Sequence, residues 1–95
     1  HVLGGASKSN LWSQILSDVT GLPVVTLLNS ENSAMGACLL AGTGTGIFAD
    51  LDTACETSVK TKSRFEPNML NHKLYGEVYR KYLSLYNSLE NYWEL

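Results

Sequence analysis

Long apolar runs are absent from this 95-residue chain. The longest, Ala34 to Ala41, falls well short of the roughly 18–20 residues that cross a bilayer, so no membrane span is expected. A basic excess is absent too: seven Lys and Arg stand against nine Asp and Glu, and without surplus cations a chain is poorly suited to nucleic acid. Cysteine is scarce. Cys38 and Cys55 stand alone, with no Cys or His at ligand spacing, which leaves neither a disulfide framework nor a metal site. Both are expected as small buried thiols in a reducing, cytoplasmic setting. No signal peptide is readable.

A catalytic set is also missing. His1 is terminal, and His72 falls in what reads as a polar turn before the last helix, facing solvent with no acid or nucleophile beside it. Asp18, Glu31, Asp50 and Asp52 stand at expected helix ends, where capping and the helix dipole account for them. No residue is assigned as a general base.

What is present is an alternation of helix and strand. Leu11, Trp12, Ile15, Leu16 and Val19 form an apolar stripe on a helix expected over about 10–20; Ser9 or Asn10 caps it, and Gly21 with Pro23 stops it. Residues 22–28 form a continuous apolar, β-branched run, the mark of a strand buried on both faces in a parallel sheet. Asn29 and Ser30 then open a helix over about 31–42, rich in small residues. Gly36 inside it costs about 1 kcal/mol against Ala, so a packing reason is expected there. Gly42 to Gly46 reads as that helix's end and a flexible turn, because no P-loop Lys-Ser/Thr follows. A short helix from Leu51 to about Val59 is capped by Asp50, and residues 60–64 read as a solvated connection or an edge strand. A long helix over about 70–93 closes the chain, its Leu, Val and Tyr stripe expected to pack in a core.

The chemistry sits at the start. Val2 and Leu3 lead into Gly4-Gly5-Ala6-Ser7-Lys8-Ser9 and then a helix. Glycines let a nucleotide approach the backbone and reach positive φ at low cost, and a helix start favours an anion. The strand entering this turn has about two residues, so the chain is expected to begin within a domain.

Gly4 to Ser9 with Leu11 to Val24, then Glu31 to Gly42 and Gly46-Ile47-Phe48, and finally Phe65-Glu66-Pro67 with Tyr75, Tyr79, Tyr82 and Tyr86, resemble the C-terminal domain of the FGGY carbohydrate kinases over nearly the whole length. The resemblance implies an α/β fold, the C-terminal part of an actin-like, ribonuclease H-like ATPase domain, with an incomplete sheet covered by helices. It makes residues 1–95 one C-terminal fragment of the nucleotide-side domain, with the terminal helix at about 70–93. It implies transfer of the ATP γ-phosphoryl group to a sugar hydroxyl, with ATP and ADP as ligands and magnesium as cofactor. Gly4, Gly5 and Ala6 would contact the nucleotide through backbone, and Ser9 stands where several members place an Asn beside adenine. Glu31, Ala34 and Gly36 are expected to be structural. Lys8 is given no phosphate role, because the family's phosphate loop, magnesium ligands, sugar site and catalytic aspartate lie upstream; the fragment alone is expected to be inactive. The wording is most similar to xylulose kinases, with the autoinducer signal sugar, gluconate and other pentuloses as alternatives. The parent kinase is allowed as a homodimer. A stand-alone, non-catalytic interaction domain using the aromatic helix is the competing class.

Overall fold

The computed structural model describes residues 1–29 and 31–93; Ser30, expected to help open the second helix, lies outside them. After Val2 and the 3₁₀ turn Gly5–Lys8 come α1 (Asn10–Thr20), β1 (Val24–Leu27), α2 (Asn32–Gly44), α3 (Leu51–Ser58), β2 (Thr61–Phe65) and α4 (Met69–Trp93). The bounds of α1 follow from its caps. Ser9 Oγ accepts from the Trp12 amide at 3.2 Å, and Gly21 takes the left-handed conformation at φ 70° while its amide bonds the Ser17 carbonyl at 2.9 Å.

The sheet is mixed. Val2 lies parallel to β1 through a single bridge to Thr26, its amide donating to the Val25 carbonyl at 3.0 Å. On the other side β2 runs antiparallel, pairing Val24 with Phe65, Val25 with Arg64 and Thr26 with Ser63. Residues 61–65 are therefore the edge strand, and their Lys and Arg suit an edge. The next pair is Leu27 with Thr61, so Lys62 has no partner and forms a bulge. Val24 and Thr26 are buried while Val25 and Leu27 are half-buried, so β1 is fully covered on one face only, not on both as its composition led us to expect.

The apolar stripe of α1 is only partly covered, with Ile15 and Leu16 half-buried. Leu11 is 72% exposed and Trp12 and Val19 are also exposed, whereas Ser13, Ser17 and Asp18 are buried. The small serines let the helix lie close to the strands: Ser17 Oγ lies 2.8 Å from the Leu22 carbonyl and 3.0 Å from the Phe65 carbonyl, which share its one hydrogen. No described residue of α4 is buried either, so its expected packing in a core is not found. The Cα radius of gyration is 19.0 Å, against about 12 Å for a compact domain of this length.

Several local expectations shift. Helix α2 continues through Gly42 to Gly44, and the turn is confined to Thr45 and Gly46, the latter at φ 85°. Gly36 has open space where a Cβ would stand. The close approach is at Gly42, whose Cβ would come 2.9 Å from the Phe48 ring. Cys38 is exposed and Cys55 half-buried, so neither is a buried thiol.

Candidate functional site

The glycine turn is held by its own backbone and hydroxyls. Gly4 sits at φ 89° and ψ −171°, a combination open to glycine and strained for other residues. Its carbonyl accepts from the Ser7 hydroxyl at 2.6 Å and the Ser7 amide at 3.2 Å, and the Ser9 amide bonds the Ala6 carbonyl at 3.2 Å. Gly5 differs. Its φ is not positive, and nothing lies within 4 Å of where its Cβ would be. Neither backbone strain nor packing within the chain therefore requires glycine at position 5. Gly5, Ala6 and Ser9 are all exposed. Because Ser9 Oγ accepts the Trp12 amide as the cap of α1, its hydroxyl hydrogen stays available to a ligand.

Beside the turn, Leu3, Gly4, Glu31, Asn32 and Ser33 line a cavity of about 400 Å³, within the range that holds small molecules. Of the turn residues singled out in the sequence, Gly4 alone reaches it; Gly5, Ala6 and Ser9 stand on the same turn outside its lining. The other wall is the start of α2, where Glu31 is exposed and its side chain makes no capping bond. Glu31, expected from the resemblance to be structural, stands at the start of α2 and also lines this cavity. The polar run from Asn29 to Ser33 just after β1 was the available signal. Glu31 also borders a second, mainly apolar cavity of about 420 Å³ with Ala34, Met35, Cys38, Leu39 and Phe48.

A polar cluster joins α1 to α4. Asp18, 4% exposed, accepts from the Asn68 amide at 2.8 Å, Gln14 Nε2 at 2.9 Å and Asn71 Nδ2 at 3.1 Å. The Asn68 amide first, and then Gln14, hold its carboxyl below the ordinary value; burial opposes them and Asn71 adds to the lowering. His72 is not in a solvent-facing turn. It lies inside α4, half-buried, with Nδ1 3.0 Å from the Asp18 carbonyl and 3.2 Å from that of Val19, and its ring occupies the space a Cβ on Gly21 would need. Asn68 Oδ1 explains the shift: it accepts the Leu70 and Asn71 amides, so the helix starts at Met69, ahead of His72. Asp18 is likewise more than a helix-end charge.

Among the described residues no three His, Cys, Asp or Glu side chains converge to hold a metal ion, and no helix is long and apolar enough to cross a membrane. The carboxylate lining the cavity beside the turn is Glu31 alone, and this donor set does not build a magnesium site.

Residues 1–45 match the C-terminal domain of the FGGY family of carbohydrate kinases. An autoinducer-2 kinase of Klebsiella pneumoniae subsp. pneumoniae is 45% identical over 83 residues, covering 87% of this chain and 16% of the relative. A xylulose kinase of Staphylococcus epidermidis is 36% identical over 84 residues, covering 88% of this chain and 17% of the relative. The chain thus spans about a sixth of the length of these relatives. In structure, a ligand-bound xylulose kinase of Lactobacillus acidophilus superimposes with a TM-score of 0.83 at 23% identity, over 93% of this chain and 18% of that one. A gluconate kinase of the same organism gives 0.81 at 23% identity, over 90% of this chain and 17% of that one. The glycine turn, the small-residue helix and the fold agree with these matches: the chain belongs to the FGGY family of carbohydrate kinases, as a segment of its C-terminal domain.

Proposed function

We propose that residues 1–95 are one nucleotide-side segment of a longer ATP-dependent sugar kinase, with α4 as its terminal helix. Gly4, Gly5 and Ala6 meet the adenosine end of the nucleotide through backbone, and Ser9 meets it through its hydroxyl. The observation that carries this is Gly5. Its bare Cα answers no need within the chain, whereas a ligand lying on the turn needs that space. The adjoining cavity beside Gly4 offers a place for part of such a ligand. In this reading the γ-phosphoryl group passes to a sugar hydroxyl. The base, the sugar contacts and the magnesium ligands belong to sequence outside these residues, since phosphoryl transfer needs those parts together, and the segment alone is inactive. Xylulose, expected from the sequence, and autoinducer-2 are the two acceptors proposed, and the higher identity to an autoinducer-2 kinase, 45% against 36% for a xylulose kinase, supports autoinducer-2.

Gly5→Val in the full-length kinase tests the turn. The KM for ATP should rise about tenfold while that for the acceptor stays within about twofold, the pattern of lost nucleotide binding alone. An equal rise in both, or no change, defeats the reading.

A further inference from the structure

The bulge in β2 has a chemical use. The surplus residue of a bulge bends its strand and re-aims a side chain, and here that residue is Lys62. It borders a cavity of about 270 Å³ whose walls also include Lys8 from the 3₁₀ turn, Thr26 from β1, and Asn29 and Asn32. Two cations far apart in sequence thus share one cavity. No acidic residue is among its described lining residues, and among the described residues neither lysine makes a salt bridge. The Glu31 amide donates to Asn29 Oδ1 at 2.9 Å, which leaves the Asn29 Nδ2 hydrogens free for a ligand oxygen. The volume falls just below the roughly 300–1,000 Å³ of pockets that hold whole small molecules. A compact anion suits it better than an entire nucleotide.

We propose that this cavity is a phosphate-binding site, in which Lys8, denied such a role by the family resemblance, and Lys62 together neutralise one phosphoryl group and the Asn29 side chain donates to its oxygens. The site stands independently of the nucleotide reading. Because Asn32 lines both this cavity and the one beside Gly4, the phosphoryl group belongs either to a nucleotide reaching past Asn32 or to free phosphate.

The test is titration of the ¹⁵N-labelled full-length kinase with inorganic phosphate at constant ionic strength, following the amides of Lys8, Asn32 and Lys62. Saturable shifts are expected. Lys8→Gln and Lys62→Gln should each weaken binding about tenfold, the loss of one charge-assisted hydrogen bond, and Lys62→Arg should restore most of it. Both lysines are exposed, and the amide spectrum reports whether each variant keeps the fold. Equal shifts with chloride, non-saturating shifts, or unchanged affinity in both Gln variants would overturn the site. ATP and adenosine then separate the sources. If ATP moves the lysine amides and Gly4 to Ala6 while adenosine moves the turn alone, the phosphoryl group is the nucleotide's. If ATP leaves the lysines unmoved while free phosphate still saturates, it is free phosphate. Either result upholds the site, whereas adenosine moving the lysines as strongly as ATP overturns it. Failure of ATP to move Gly4 to Ala6 counts against the nucleotide reading alone.

Discussion

Helices α1 and α4 are both amphipathic, both carry an apolar stripe at helical spacing, and both leave much of it outward, yet they are attached very differently. On α1 the opposite face is buried: Ser17 shares its hydrogen between two carbonyls, and Asp18 gathers donors from Gln14, Asn68 and Asn71. Helix α4 buries no described residue; its polar ties to α1 run through Asn68, Asn71 and His72 at its start. Further along, its aromatic rings meet one another, Tyr79 stacking on Tyr82 and Tyr92 standing edge-on to Trp93. A stripe says that a helix has two unlike faces. Which face the rest of the chain takes up depends also on where acceptors and donors meet. In this chain the hydrogen bonds of Ser17 and Asp18, together with the half-buried Ile15 and Leu16, fix α1 in place.

Asp18→Ala should break this arrangement with the largest effect of any single change considered. It strands the Asn68 amide and the side chains of Gln14 and Asn71, so the melting temperature should fall more than for the other variants below. Spin labels on α1 and α4 should also lose their fixed separation; an unchanged separation sinks the idea that Asp18 holds α4. Acid should act through the same group. Its carboxyl is held below the ordinary value of 3.8, so between the two values the unfolded chain binds more protons. The stability it contributes is full above the unfolded value and is lost as pH falls through the folded one. Asp18→Asn should flatten acid unfolding relative to the native chain, leaving the slope that Asp50, also lowered, contributes; identical slopes would show that Asp18 is not the titrating group. Gly21→Ala combines a left-handed backbone with a Cβ 2.9 Å from His72 Cε1, and should cost about 2 kcal/mol in a denaturant titration. Ser9→Ala removes a capping acceptor and should cost about 1 kcal/mol. Leu85→Gln on the exposed part of α4 should change stability by less than about 0.5 kcal/mol, and a larger loss would mean that this face is covered within the chain.

Local signals carried well into the structure. Ser9, Gly21 and Pro23 bounded α1 without tertiary knowledge, because a cap and a left-handed glycine act within a few residues. Gly4 was legible for the same reason. The partners of Asp18 were not, since two of its three donors come from Asn68 and Asn71, some fifty positions away. The sequence reading puts His72 before the last helix, although that helix is expected from about 70; its contacts with the Asp18 and Val19 carbonyls, more than fifty positions away, leave no local trace. The cavity at Glu31 depends on how the end of β1 faces the turn, which no spacing within α2 records. The strand of residues 61–65 was half legible: its charge fits an edge, but nothing in Thr61-Lys62-Ser63 announces which residue will go unpaired.

That unpaired residue also sets where this sheet can absorb a change in length. From Val24–Phe65 to Thr26–Ser63 the ladder is regular, and beyond it Leu27 opposes Thr61 while the Leu28 amide bonds the Lys60 carbonyl at 2.9 Å. Deleting Lys62 would join these two stretches with every pair intact. Deleting Ser63 would put Lys62 in its place with the other pairs unmoved, whereas deleting Arg64 or Phe65 would slide the residues from Lys62 to the gap by one place and exchange inward for outward positions along part of the edge. A one-residue gap in a homologous sequence is thus silent for the sheet at position 62 and disruptive at positions 64 and 65.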